Sequence, residues 1–342
     1  MNSSGAMIDL KTLLPTRRLH DGSHTLSYWR AAQPFVQPEA VGHAPANSDV
    51  RLFQITPKPA GTIKTMQNTT PSFRPSLLMW NQARALLVEF CHFVQKEARS
   101  CIFAGLFFAS VLFVPRAGVL GVPRYDALLL IALGIQAWLL YTRRETVDEL
   151  KAICLFHALG FALEVFKTSS GIKSWSYPDF AYSKVLGVPL FSGFMYAAVG
   201  SYIIQAWRIL NLRVVHHPPY WMAGSIATAI YLNFFTHHYI GDYRWYLAAA
   251  ALGLYARSQI VFRPHLQDRR MPLSLALILV GFFIWIAENI GTFFGLWTYP
   301  HQLGAWAAVH VAKWSAWSLL VLMSFTIVTN LKHIKATVHV PE

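Results

Sequence analysis

Charge is what this 342-residue chain has least of. Only 13% of its residues are charged, about half the share of a soluble domain. With 54% hydrophobic and 14% aromatic residues, that scarcity excludes an ordinary soluble domain and points to the membrane class. Acidic residues are scarcer still, 16 against 29 Lys and Arg, leaving a net charge of +13. The basic residues lie between apolar runs and form no single patch. That argues against a nucleic-acid partner and for the lipid bilayer, where such residues orient helices. Cysteine is sparse: Cys91, Cys101 and Cys154 show no CxxC or CxxxC spacing, which argues against a disulfide framework or a zinc site. No apolar run follows the basic start, so no signal peptide is expected.

What is present divides the chain into three parts. Residues 1–80 hold Pro15, Pro34, Pro38, Pro45, Pro57, Pro59, Pro71 and Pro75 among polar residues. Such a stretch cannot bury enough apolar surface to offset its ordering entropy, so a disordered extension is expected. Over 81–100, Ala83, Leu86, Leu87, Phe90 and Val94 share one helical face, with Arg84, Glu89, Lys96 and Arg99 elsewhere. That pattern predicts an amphipathic helix at the membrane interface.

Residues 101–335 predict an all-α, polytopic membrane helix bundle. Apolar segments at 101–120, 125–142, 150–168, 185–207, 219–237, 243–262, 272–294 and 305–330 approach the roughly 20 residues that a transmembrane helix needs. Arg143, Arg144, Arg208, Arg213, Arg257, Arg263, Arg269 and Arg270 follow the even segments, and Lys332 and Lys335 follow the last. The bias puts both termini in the cytoplasm, as about eight spans require, and predicts a multi-pass protein of the bacterial inner membrane.

The bundle carries an internal repeat. Arg124, Glu164 and Trp175-Ser176-Tyr177-Pro178 are answered by Arg244, Glu288 and Trp297-Thr298-Tyr299-Pro300. The intervals from the arginine to the glutamate are 40 and 44 residues, and to the tryptophan 51 and 53. Two parallel four-helix repeats, 101–212 and 213–335, are expected.

An acid at membrane depth is costly and usually faces a bundle interior, so Glu164 and Glu288 are the first candidates for acid/base chemistry. Glu164 has a structural alternative, an ion pair with Lys167 one turn on. His157 lies two turns before Glu164 on the same face. In the last segment His310 and Lys313 share a face, and a Glu288–Lys313 pair across helices is expected. Trp175, Tyr177, Trp297, Tyr299, Arg124, Arg244, Lys167 and Asn289 complete a candidate ligand-binding set. The Trp-x-Tyr-Pro turns also suit plain interfacial anchoring. His237 and His238 are expected in an interfacial role. No HxxxH or ExxH spacing links His157, His237, His310 and the two glutamates, so no metal is expected, and the residues name no cofactor.

Several of these stretches resemble a known family. Phe156-His157-Ala158-Leu159-Gly160, Glu164-Val165-Phe166-Lys167, Ser174 through Pro178, Glu288-Asn289-Ile290-Gly291-Thr292, Trp297 through Pro300, and His310 through Asn330 are similar to a YoaT-like bacterial membrane-protein family (domain of unknown function 817). The resemblance covers about residues 85–335, and implies a multi-pass membrane protein without an established activity. A fainter likeness is to the membrane-embedded lycopene cyclases, through Trp175-Ser176-Tyr177 and Gly187-Val188-Pro189. There Leu190-Phe191 stand where the cyclases carry two glutamates. Two functions fit: a membrane-embedded enzyme on a lipid or isoprenoid, and a transporter or permease of a small solute with a site between the repeats.

Overall fold

The computed structural model describes residues 77–338, so most of the extension expected over 1–80 lies outside the described residues. Nine α-helices are found among them: α1 (Leu77–Ser100), α2 (Ile102–Phe113), α3 (Arg124–Tyr141), α4 (Val147–Thr168), α5 (Ser192–Ile209), α6 (Tyr220–Thr236), α7 (Arg244–Leu254), α8 (Leu273–Phe293) and α9 (Lys313–Val338). Three stretches are long and apolar enough to cross a membrane: Arg124–Tyr141, Leu273–Phe293 and Lys313–Lys335.

The chain is not purely helical. The strands β1 (Lys184–Val185) and β2 (Val188–Pro189) form a hairpin, and β3 (Arg213–Val215), β4 (Gln259–Phe262) and β5 (Arg269–Pro272) form an antiparallel sheet in the order β3-β4-β5. The sheet explains why the segment 243–262 is not one span. Helix α7 has 11 residues, about 16 Å of rise, and the β-branched Ile260 and Val261 beyond it pair with both neighbouring strands. Helix α2 is likewise cut to 12 residues. It continues α1 through a kink at Cys101, where Ser100 Oγ donates to the Lys96 carbonyl at 2.9 Å. Such back-bonding bends helices.

An unforeseen repetition shapes two connections. Val119-Leu120-Gly121-Val122-Pro123 before α3 and Val185-Leu186-Gly187-Val188-Pro189 before α5 are the same pentapeptide. In both, the two valines pair and the Leu-Gly between them has positive φ, 52° and 80° in the first, 52° and 81° in the second. Two such residues make the turn whose twist matches an antiparallel pair. The carboxylate of Asp126 fastens the approach to the second hairpin, accepting from the amides of Tyr182 and Ser183 at 2.8 Å each.

The main packing is helix on helix, α4 against α5 and α8 against α9. Small residues allow the close approach. Gly160 faces the Tyr196 ring, Gly200 faces Phe156, and Gly281 faces Ser318. Helix α4 starts with a capping box between Thr146 and Glu149, which satisfies two of its open donors.

Candidate functional site

Both Trp-x-Tyr-Pro motifs follow the carboxyl ends of long helices, α4 and α8, and they meet. Ser176 and Thr298, the variable residues of the two motifs, exchange both backbone hydrogen bonds at 3.0 Å. This antiparallel bridge brings the aromatic residues of both motifs to one place. The Trp175 and Tyr299 rings lie edge to face, 5.9 Å apart.

The motifs serve the two glutamates. Glu164, 2% exposed, accepts from Trp175 Nε1 and Tyr177 Oη on one oxygen, both at 2.8 Å, and from Tyr196 Oη of α5 on the other at 2.7 Å. Glu288, 3% exposed, accepts from Tyr299 Oη on one oxygen at 2.5 Å and from Trp317 Nε1 of α9 on the other at 2.7 Å. Tyr177 and Tyr299 thus play the same part at the two carboxylates. Tyr196 and Trp317 correspond as well, each four residues into its helix. Trp297 departs from the pattern: it packs on Gly291, and Trp317 supplies the indole donor instead.

These bonds have a chemical consequence. An indole N–H can only donate, whereas a phenol can donate or accept. Each carboxylate presents one oxygen to an indole and the other to a phenol. Each can therefore exist ionised, with the phenol donating, or protonated, with the phenol accepting and turning its own hydrogen elsewhere. A carboxyl whose partner can reverse its role in this way can take up and release a proton in place.

The basic residues lie otherwise than their spacing suggested. Lys167 does not pair with Glu164. Its ammonium contacts His237 Nε2 at 3.2 Å and His238 Nε2 at 2.7 Å. The His237 ring gives its Nδ1 to the Asn233 carbonyl at 2.8 Å, so Nε2 is the accepting nitrogen. His238 lies just beyond α6. Burial, with the Lys167 ammonium and the His237 ring beside it, lowers its pKa to about 4. The expected Glu288–Lys313 ion pair does not form either. The Lys313 ammonium rests over the Tyr299 ring at 4.9 Å and the Trp175 ring at 5.4 Å, within electrostatic reach of Glu288 and Glu164.

His310 is not in a helix. Helix α9 starts at Lys313, and His310 is exposed in the connection before it, accepting from the Ala312 amide at 3.2 Å. The apolar run 305–312 reads as helix but is held in irregular backbone by side chains. Asn289 Oδ1 accepts from the Val309 amide at 2.9 Å, Trp285 Nε1 donates to the Val309 carbonyl at 3.1 Å, and Gln302 Nε2 donates to the Ala307 carbonyl at 2.6 Å. Asn289 thus positions the connection that delivers Lys313. His157 touches neither glutamate. It packs on Gly193 and Phe194, with its buried Nδ1 unpartnered. Arg124 is 2% exposed and holds the carbonyls of Phe294 and Val111 at 2.8 and 3.2 Å. Arg244 pairs with Asp242 at 3.1 Å and reaches the Ala312 carbonyl at 3.5 Å.

Sequence reasoning missed a third buried carboxylate. Glu145 is 2% exposed and accepts from Gln136 Nε2 and Ser201 Oγ at 2.5 Å each, and from Gln205 Nε2 at 3.3 Å. It precedes α4, where a charged residue reads as an ordinary loop position. Tyr196 was missed because its pairing depends on how α5 docks on α4. Gly160 was the available signal.

No solved structure matches this chain. It is 48% identical over 247 residues to the uncharacterised protein YoaT of Bacillus subtilis (strain 168), an alignment covering 72% of this chain and 93% of that protein. Residues 89–325 match the family described as Protein of unknown function (DUF817), and the chain belongs to that family.

Proposed function

We propose that this is a multi-pass protein of the inner membrane, built of two four-helix repeats and both termini cytoplasmic, that moves a small solute in exchange for, or together with, protons bound by Glu164 and Glu288. One observation carries the reading. Two buried carboxylates, each held by a phenol that can donate to the ionised form or accept from the protonated one, face a seam where the two halves meet through Ser176 and Thr298. A rocking of the halves about that seam would part the motifs and present the carboxylates to alternate faces.

The enzyme reading needs a substrate-sized chamber beside the carboxylates. The crevice against Tyr196, lined by Phe156, Leu163, Phe234 and Met323, has a volume of about 10 Å³, room for one water. A groove of about 390 Å³ between α6 and α7 is lined by residues such as Trp221, Ile226, Leu247 and Leu254, with no acid or base among its lining residues.

Comparing solute uptake and lipid profiles of cells with and without the gene tests the reading. Altered uptake of a solute beside an unchanged lipid profile is the expected result; an altered lipid profile with unchanged uptake would reverse the choice. Glu288→Gln and Glu164→Gln should each abolish the pH dependence of that uptake. Because Lys167 turns to the histidines, neither glutamate is spared by a neighbouring ion pair.

A further inference from the structure

Three cations converge on the motif-bearing end from different elements: Lys167 from α4, Arg244 from α7 and Lys313 from α9. His237 and His238 stand among them after α6. Lys167 is 6% exposed, yet its ammonium touches two imidazole nitrogens and no carboxylate. Lys313 rests on aromatic faces. Arg244 alone is in an ion pair, with Asp242. Lys167 lies within electrostatic reach of both Lys313 and Arg244, so the three charges act as one cluster.

The acids facing this cluster are Asp242, Glu164 and Glu288; the phenols of Tyr177, Tyr196 and Tyr299 complete the titratable groups around the two glutamates. With both glutamates ionised, three negative charges oppose three positive ones. With both protonated, Asp242 alone opposes three cations. Uncompensated charge in a half-buried place is costly unless a counter-charge arrives. A cluster made net positive by protons is therefore a place for an anion.

Building on the proton-exchange reading above, we propose that the motif-bearing end binds a small oxyanion, a carboxylate or phosphate group, among Lys167, Arg244 and Lys313, and that protonation of Glu164 and Glu288 strengthens its binding. By reciprocity the anion strengthens proton binding to the same degree. The solute moved is then an anion that travels with protons. The Lys313 ammonium on the Trp175 and Tyr299 rings suggests a rival occupant, an organic cation held by the same faces, and the test must separate the two.

The full-length protein in nanodiscs of zwitterionic lipid is titrated with inorganic phosphate, acetate and tetramethylammonium, at acidic and at alkaline pH. Trp175 and Trp317 report through their fluorescence. Phosphate or acetate should give a saturable change, tighter at acidic pH. Lys167→Gln should weaken it about ten- to a hundred-fold, the worth of one charge-assisted hydrogen bond, and Lys167→Arg should retain it. The double variant Glu164→Gln, Glu288→Gln should lose most of the acid strengthening, leaving a smaller pH dependence set by Lys167, the two histidines and the anion itself. If Lys167→Gln does not fold, Arg244→Gln, at a partly exposed side chain, takes its place with the same expected loss. Nanodiscs containing phosphatidylglycerol identify the source: loss of the phosphate response there assigns the site to a lipid headgroup, and its persistence assigns it to a free solute. A saturable response to tetramethylammonium alone, or anion binding of wild-type strength in Lys167→Gln or Arg244→Gln, overturns the proposal. Should Glu288→Gln still abolish pH-dependent uptake in that case, the proton-exchange reading survives without it.

Discussion

Gly160→Ala is the substitution that most directly tests how the carboxylate at Glu164 is held. A Cβ built on Gly160 would lie 2.2, 2.4 and 2.5 Å from the Cγ, Cδ2 and Cβ atoms of Tyr196. Carbon atoms in contact prefer roughly 3.5–4.0 Å, so the tyrosine must retreat by about an ångström or more. Its hydroxyl, 2.7 Å from Glu164 Oε1, leaves the carboxylate as it goes. Overpacking of a tight interface costs about 1–3 kcal/mol, and loss of a hydrogen bond to a charged group about 1.5–3 kcal/mol. Tyr196→Phe incurs only the second cost. Thermal unfolding of the purified protein, followed by intrinsic fluorescence, should place Gly160→Ala well below Tyr196→Phe. The drop should be on the order of 10 °C at about 2–4 °C per kcal/mol. The decisive result is the double variant. If the alanine acts by expelling the hydroxyl, the bond is lost only once, and the two costs should fall short of additivity by about 1.5–3 kcal/mol. Strict additivity, or a Gly160→Ala protein as stable as the wild type, would refute the arrangement of α4 on α5 described above.

Two further outcomes are expected. His238 is held neutral, with a pKa lowered to about 4 by burial and the neighbouring positive charges, whereas a histidine in the unfolded chain titrates near 6.5. The unfolded state therefore binds the extra proton first as pH falls, and the contribution of His238 to stability is present above about pH 6.5 and lost toward pH 4. His238→Gln should flatten the acid limb of a stability–pH curve, and an unchanged limb would show that His238 does not cause it. Single cysteines near Lys173 and His301 should be labelled from outside intact cells, and those near Arg144 and Arg269 only from within. Labelling of both groups from the same side would discard the proposed topology.

The features legible in the sequence are those with a local cause. Scarce charge and apolar runs of span length announced the helices. The motif that follows each glutamate, after 11 residues in one case and 9 in the other, marked a recurring device, because a Pro-terminated turn after a helix is written in consecutive residues. What failed was partnership across the fold. Lys167 is one turn from Glu164, and helix spacing made an ion pair the natural expectation. The competing partners, His237 and His238, are 70 and 71 residues away, and nothing local announces them. The run around His310 looked helical because Ala and Val fill it. Its irregular form comes from Asn289, Trp285 and Gln302, whose side chains take hydrogen bonds that a helix would have made. Irregular backbone among apolar residues persists where side chains satisfy it in this way. The hairpins before α3 and α5 were legible in principle, since one pentapeptide occurs twice.

The two carboxylate sites are alike but not equal, and the inequality has a direction. Helix α5 begins at Ser192 and α9 at Lys313, four residues before Tyr196 and Trp317 respectively. Ser192 and Lys313 are therefore counterparts. Ser192 is wholly buried with its hydroxyl unpartnered, while Lys313 brings an ammonium within electrostatic reach of Glu288. The ammonium acts on both carboxylates, but more strongly on Glu288 than on Glu164. Removing Lys313 strips Glu288 of its compensating charge, and a carboxylate left buried and uncompensated is strongly destabilising. Lys313→Met should accordingly lower the melting temperature, but by less than the loss of a formed buried ion pair would, since the ammonium rests on the rings and not on the carboxylate. Adding Glu288→Gln should restore most of that loss, because the stranded charge is then gone. Adding Glu164→Gln instead should restore far less, since Tyr177, Tyr196 and Trp175 already satisfy that carboxylate without Lys313. Equal rescue by the two glutamine substitutions would mean that the carboxylates share the lysine equally, and that the two sites work as equivalents.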